Sequence, residues 1–188
     1  MKRLAAGALV LSVLAVAVLT RTGGDDQPRA AVRADYTRTC QVGNSIRFRP
    51  RTARDEVLPG GAEIDGFRGS FANEEAENVY SPRPGLEVLK APIAFRGRRD
   101  VTIAVPRSHQ GVLGLDYAPE RRGVDTIAEA HSSVRFRACA RGEATGYPGG
   151  LLYTGPWPAC VPLYVSVGGR RPQRHMVSLG AGPCQPSK

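Results

Sequence analysis

Three histidines, His109, His131 and His175, are the side chains best suited to acid–base or metal chemistry near neutral pH. None stands in HxH or HExxH, so the spacing that would bring two imidazoles onto one metal is missing. Ser108 precedes His109, but neighbours along a strand point to opposite faces, and no serine lies in GxSxG. Glu74, Glu75 and Glu77 in "FANEEAENVY" are the densest carboxylates. Paired carboxylates across a cleft hydrolyse glycosides, and converging oxygens bind calcium. Without a DxDxDG loop, a solvated acidic loop is the expectation. The residues therefore imply no catalytic centre, no metal site and no cofactor. A hydrolase acting on envelope polymers is the alternative reading.

Arginine patterning is the stronger signal. Arg170, Arg171 and Arg174 crowd the middle of "CVPLYVSVGGRRPQRHMVSLGAGPC", between two hydrophobic runs. Arg47, Arg49 and Arg51 alternate with apolar residues in "SIRFRPR", as do Arg135 and Arg137 in "VRFRAC". Like charges facing each other across a sheet repel. Such rows need acidic neighbours, for which Glu63, Asp65 and Glu87 are expected, or an anionic ligand. The doublets Arg98–Arg99, Arg121–Arg122 and Arg170–Arg171 fall at turns and would add charge at the ends of the sheets. Arg170, Arg171, Arg174, Arg47, Arg49, Arg135 and Arg137 are thus the anion-binding candidates. At the hairpin tip, weak electrostatic affinity without a defined pocket is expected.

These residues need a compartment. "MKRLAAGALVLSVLAVAVLT" carries two basic residues and then an apolar run from Leu4 to Leu19, the layout of an export signal or a membrane anchor helix. Residues 1–20 are read as that segment, with cleaved and retained forms both open. Residues 21–39, with Gly, Asp, Pro and isolated apolar residues, are read as a flexible tether. Residues 40–188 would form one extracytoplasmic domain, membrane-anchored or secreted. The net charge is +9. Outside a cell, a basic protein is drawn to anionic envelope polymers and lipid surfaces. Other envelope proteins are a second class of partner, and nucleic acid is not expected there.

The elements that must position the arginines are strands. "DVTIAV", "GVLGLDY", "VRFRAC", "CVPLYVSV" and "HMVSL" alternate apolar and polar residues, and Gly/Pro turns separate them. Eight to ten strands are expected, in an antiparallel β-sandwich. "GVDTIAEAHSS" offers one or two helical turns at most. Four cysteines, Cys40, Cys139, Cys160 and Cys184, fit two disulfides in an exported chain. If Val167 opposes Arg174 in a hairpin, the residue opposite Cys160 is near Ala181, close enough to Cys184 for a bridge. Elimination then joins Cys40 to Cys139.

"VRFRACARGEATGYPGGLLYTGPWPACVPLYVSVGG", together with "GAGPC", resembles the C-terminal part of small exported actinobacterial proteins of unknown function. The resemblance lies in the C-terminal third and implies an extracytoplasmic domain without naming an activity. The architecture is expected to be loosely immunoglobulin-like. A tyrosine corner would put Tyr two residues before Cys139, where Arg137 stands, and Trp157 follows Cys139 rather than preceding it. In "YPGGLLYTGPWP", Tyr153 and Trp157 either pack beneath the loop or stand exposed to stack on a sugar or a partner.

Overall fold

A computed structural model describes residues 34–40, 56–64, 79–95, 98–118, 124–139 and 145–184. The apolar run Leu4 to Leu19, most of the tether and Arg47, Arg49 and Arg51 lie outside the described residues. So do Asp65, Glu74, Glu75, Glu77, Arg121 and Arg122. Among the described residues no helix is long and apolar enough to cross a membrane.

The described chain is all-β. Its first six strands are β1 (Tyr36–Arg38), β2 (Glu56–Val57), β3 (Ala62–Ile64), β4 (Val79–Arg83), β5 (Leu86–Lys90) and β6 (Ile93–Phe95). Then follow β7 (Val101–Ala104), β8 (Leu113–Asp116), β9 (Ser133–Phe136), β10 (Thr145–Tyr147), β11 (Gly150–Tyr153), β12 (Ala159–Val167) and β13 (Gln173–Leu179). Among the described residues, 3-10 turns stand at Arg107–His109 and Ile127–Glu129. The strands form three sheets, ordered β1-β9-β7-β12-β13, β10-β6-β3-β2 and β4-β5-β11-β8.

One apolar core is shared by all three sheets. Val101, Ile103, Val134, Phe136, Val161, Leu163 and Val165 enter it from the first, Ala62, Ile64, Ile93 and Tyr147 from the second, and Leu89, Leu113, Leu115 and Leu151 from the third. These are the inward positions of the period-two pattern. Truncating one to alanine would cost about 2–5 kcal/mol. The adjacent Leu151 and Leu152 face opposite ways. Leu151 joins the main core, while Leu152 packs with Leu86, Val88 and Val124 in a second cluster against Ile127 and Ala130. The 124–130 segment thus covers the outer face of this sheet, which explains burial along the whole of β11. At Gly114 a Cβ would fall 2.3 Å from Ala130 Cβ, so the close approach requires glycine.

Two expectations are corrected here. The sheets are not wholly antiparallel, because β1 runs parallel to β9, with Tyr36 beside Val134 and Arg38 beside Phe136. The end of the expected tether is therefore part of the fold. Asp35 fixes it. Its carboxylate accepts from Ser132 N at 3.0 Å and Ser133 N at 3.1 Å, and its own N–H donates to Ser133 Oγ at 2.9 Å. A three-residue strand has too few residues to show alternation, so this pairing leaves no period in the sequence.

The disulfides join Cys40 to Cys139 and Cys160 to Cys184, with Cα–Cα distances of 5.3 and 5.8 Å. Their sequence separations are 99 and 24 residues. Loops of these lengths stabilise by about 4.7 and about 3.4 kcal/mol in the chain-entropy account. The hairpin register differs from the expected one. Gly168 and Gly169, at φ 58° and 72°, and Arg170 make a three-residue turn, so Val165 faces Gln173 and Cys160 faces Ser178. Cys184 returns to Cys160 because the chain bends at Gly180 and Gly182, both at positive φ. Pro162 lies where β12 pairs with β13 alone, since β7 joins only from Tyr164 onward. A missing N–H is tolerated there.

Candidate basic cleft at the hairpin tip

The β12–β13 turn ends beside the turn between β6 and β7. Arg170 N donates to Val167 O at 3.2 Å, closing the tip, and Ser166 Oγ donates to Arg170 O. Gly168 N donates to Asp100 O at 2.8 Å, tying the two turns together. A Cβ at Gly168 would sit 3.2 Å from Arg99 Cδ, so the Arg99 stem lies against the bare glycine. Two arginine doublets far apart in sequence thereby meet. Arg98, Arg99, Arg170 and Arg171 line a cleft of about 410 Å³ whose apolar wall is Val101, Val165 and Val167.

The third wall is the turn at Pro59 and Gly60. Leu58 N donates to Ala62 O at 2.8 Å, and Gly60 has φ 84°. A Cβ on Gly60 would come within 2.3 Å of Val167 Cγ2. Among the described residues the cleft lining contains no carboxylate. The four guanidiniums are exposed, and no ion pair to any of them is found among the described residues. The tip thus has a defined pocket, contrary to expectation. Arg174, the third tip arginine, faces Tyr164 across the hairpin and does not line the cleft.

The β9 arginines have a different fate. Arg135 and Arg137 point outward as expected, and their partner among the described residues is Asp100 rather than Glu63 or Glu87; Asp65 lies outside the described residues. Arg135 Nη2 lies 2.7 Å and Arg137 Nε 3.5 Å from Asp100 Oδ2. Asp100 Oδ1 accepts from Ala138 N at 3.1 Å. The register makes the reason plain. Val101 faces Phe136, so the preceding residue, Asp100, falls opposite Arg137. Glu63 is buried, and Glu87 accepts from Ser81 Oγ at 2.6 Å.

The aromatic pair separates. Tyr153 is 6% exposed and belongs to the core, and a Cβ on Gly155 would strike its hydroxyl. Trp157 is 36% exposed in the turn before β12, at the opposite end of that strand from the basic cleft. A nine-residue strand puts the two ends about 27 Å apart.

Each histidine is accounted for by a local contact. Ser108 and His109 sit on a 3-10 turn rather than a strand, so Ser108 Oγ and His109 Nδ1 do approach, to 3.0 Å. His131 stacks on Tyr36 at 4.8 Å. His175 Nε2 lies 2.8 Å from the buried Glu56 carboxylate, joining β13 to β2. Among the described residues no three His, Cys, Asp or Glu side chains cluster as a metal site.

Arg38 and Tyr147 are the polar residues the sequence left unmarked. Arg38 is fully buried with its guanidinium 5.5 Å from the Tyr147 ring centre, and its Nε and Nη1 have no hydrogen-bond partner. Tyr147 donates to Arg137 O at 2.6 Å and touches Cys139 Sγ at 3.0 Å. Burial pushes its hydroxyl up to about 12, and Asp100 adds to the rise while Arg38 and Arg137 oppose it. It stays protonated and acts as a structural donor. Only a lone Arg before a cysteine hinted at this cluster.

Compared with models of known protein families, with curated proteins and with solved structures, the chain matches none. The reading of its function therefore rests on the geometry above. The two disulfides fit an oxidising compartment.

Proposed function

We propose that this chain is an extracytoplasmic binding module of the cell envelope. It would be a loosely immunoglobulin-like β-sandwich, exported or held by the segment Leu4 to Leu19, that engages an anionic envelope polymer or lipid surface. One observation carries the reading: four arginines from two turns converge on a cleft whose lining, among the described residues, has no carboxylate. Guanidiniums recognise phosphates and carboxylates through paired N–H donors. Four of them left without an acidic partner repel one another, and an anion relieves that repulsion. The two disulfides support the placement, since they hold β1 and the base of the hairpin without drawing on the tip.

The test is binding of the full-length chain to poly(glycerol phosphate) over a range of salt. Exposed charge contacts weaken as the Debye length shrinks from about 30 Å at 0.01 M to about 8 Å at 0.15 M. The expected result is at least a tenfold loss of affinity across that range. Binding that does not change with salt, or no binding at the low end, would contradict the proposal.

A further inference from the structure

We infer that the cleft takes an amphiphilic phosphate, a phosphate ester bearing a hydrocarbon chain, with the phosphate on the arginines and the first methylenes against Val167. This rests on the anion-binding reading above and narrows it to one ligand class.

Val165 shares the inward face of β12 with Val161 and Leu163, and Val167 packs against the same core. The cleft therefore opens onto the end of the hydrophobic core, with cations around its mouth. An inorganic phosphate or a polyphosphate strand would satisfy Arg98, Arg99, Arg170 and Arg171 and leave Val167, the partly exposed valine of the wall, wet; Val101 and Val165 are already covered by the protein. A ligand with an apolar stem covers the arginines and Val167. The volume of about 410 Å³ agrees. At ~30 Å³ per water it is room for roughly a dozen water molecules, more than one phosphate fills. The basic mouth also sets the order of the ligand: head group outward among the guanidiniums, chain inward.

The experiment is calorimetric titration of the full-length chain with inorganic phosphate, butyl phosphate and hexyl phosphate at low salt. Each methylene that reaches Val167 should tighten binding by about fourfold. Hexyl phosphate should therefore bind at least tenfold more tightly than inorganic phosphate, with butyl phosphate between. Val167→Ser should narrow the ratio of hexyl phosphate to inorganic phosphate affinity by about fivefold. Changing Arg98, Arg99, Arg170 and Arg171 together to Ser should abolish both. Equal affinity for all three probes on the parent chain, lost in the arginine variant, overturns the amphiphile and leaves the anion reading standing. Poly(glycerol phosphate) binding more tightly per phosphate than hexyl phosphate also overturns it, in favour of a polymer. Hexyl phosphate binding that survives the arginine changes places the chain elsewhere and overturns the site. No heat with any anion sinks both readings. The chain-length series needs no variant, so it decides the question even if a substitution impairs folding.

Discussion

Two groups of arginines meet at the turn between β6 and β7, and they differ by one carboxylate. Arg135 and Arg137 reach Asp100, which also accepts the Ala138 N–H. Arg98 and Arg99 precede Asp100 in the chain yet turn to the other side, where they join Arg170 and Arg171 around the cleft. The first group is a partly neutralised sheet face, two guanidiniums on one carboxylate, and its pairs are half exposed, so each contributes about 0.2–1 kcal/mol. The second has charge without a partner in its own walls. The lesson is that a count of arginines says little about binding. The placement of the single acid between the two groups decides which of them is available.

That comparison can be broken first at the cleft's rim. Gly60→Ala is expected to cost about 2–3 kcal/mol, from positive φ and from the clash with Val167 together. Gly61→Ala has a similar φ of 80° and nothing within 4 Å, so it should cost about 1–2 kcal/mol, the conformational part alone. Denaturant unfolding of both variants separates the two contributions. Equal losses would show that the Gly60–Val167 contact does not shape the cleft.

Asp100→Asn is the next in size. It keeps the shape but removes the charge and one acceptor facing two guanidiniums, and a loss of about 1–2 kcal/mol in unfolding free energy is expected. It should also free Arg135 and Arg137, so affinity for poly(glycerol phosphate) should rise by a few fold. A destabilised variant whose affinity is unchanged would mean that the β9 arginines were never masked by this residue.

Much of the fold is legible in the alternation of residues. Val101 and Ile103, Leu113 and Leu115, Val134 and Phe136, and Val161 through Val165 all enter the core where period two puts them. The cysteine pairing is legible too, although the hairpin register behind it is three residues out. The expectation put a longer loop where Gly168, Gly169 and Arg170 make the turn. What the sequence hides is contact between turns. Nothing in "RGRRD" or "VGGRRPQ" says that the two doublets share a cleft; that follows from β7 lying beside β12 with Val101 facing Val167. Asp100 hides for the same reason, since its partners are 35 and 37 residues away and on a strand whose neighbour must be known. The parallel strand β1 and the buried Arg38 are invisible to any pattern, because three residues carry no period.

The measurement that bears most directly on the account compares the two arginine groups in one assay. The cleft variant changes Arg98, Arg99, Arg170 and Arg171 to Ser, and the sheet variant changes Arg135 and Arg137 to Ser. Binding to poly(glycerol phosphate) is followed at low salt for both and for the parent, with thermal unfolding to confirm that each is folded. At about 1 kcal/mol per arginine near an anionic surface, the cleft variant should lose at least about a hundredfold in affinity. The sheet variant should stay within about threefold of the parent, because Asp100 already holds those charges. Equal losses in the two variants would contradict the account, since affinity would then follow total charge and the cleft would have no special part in it.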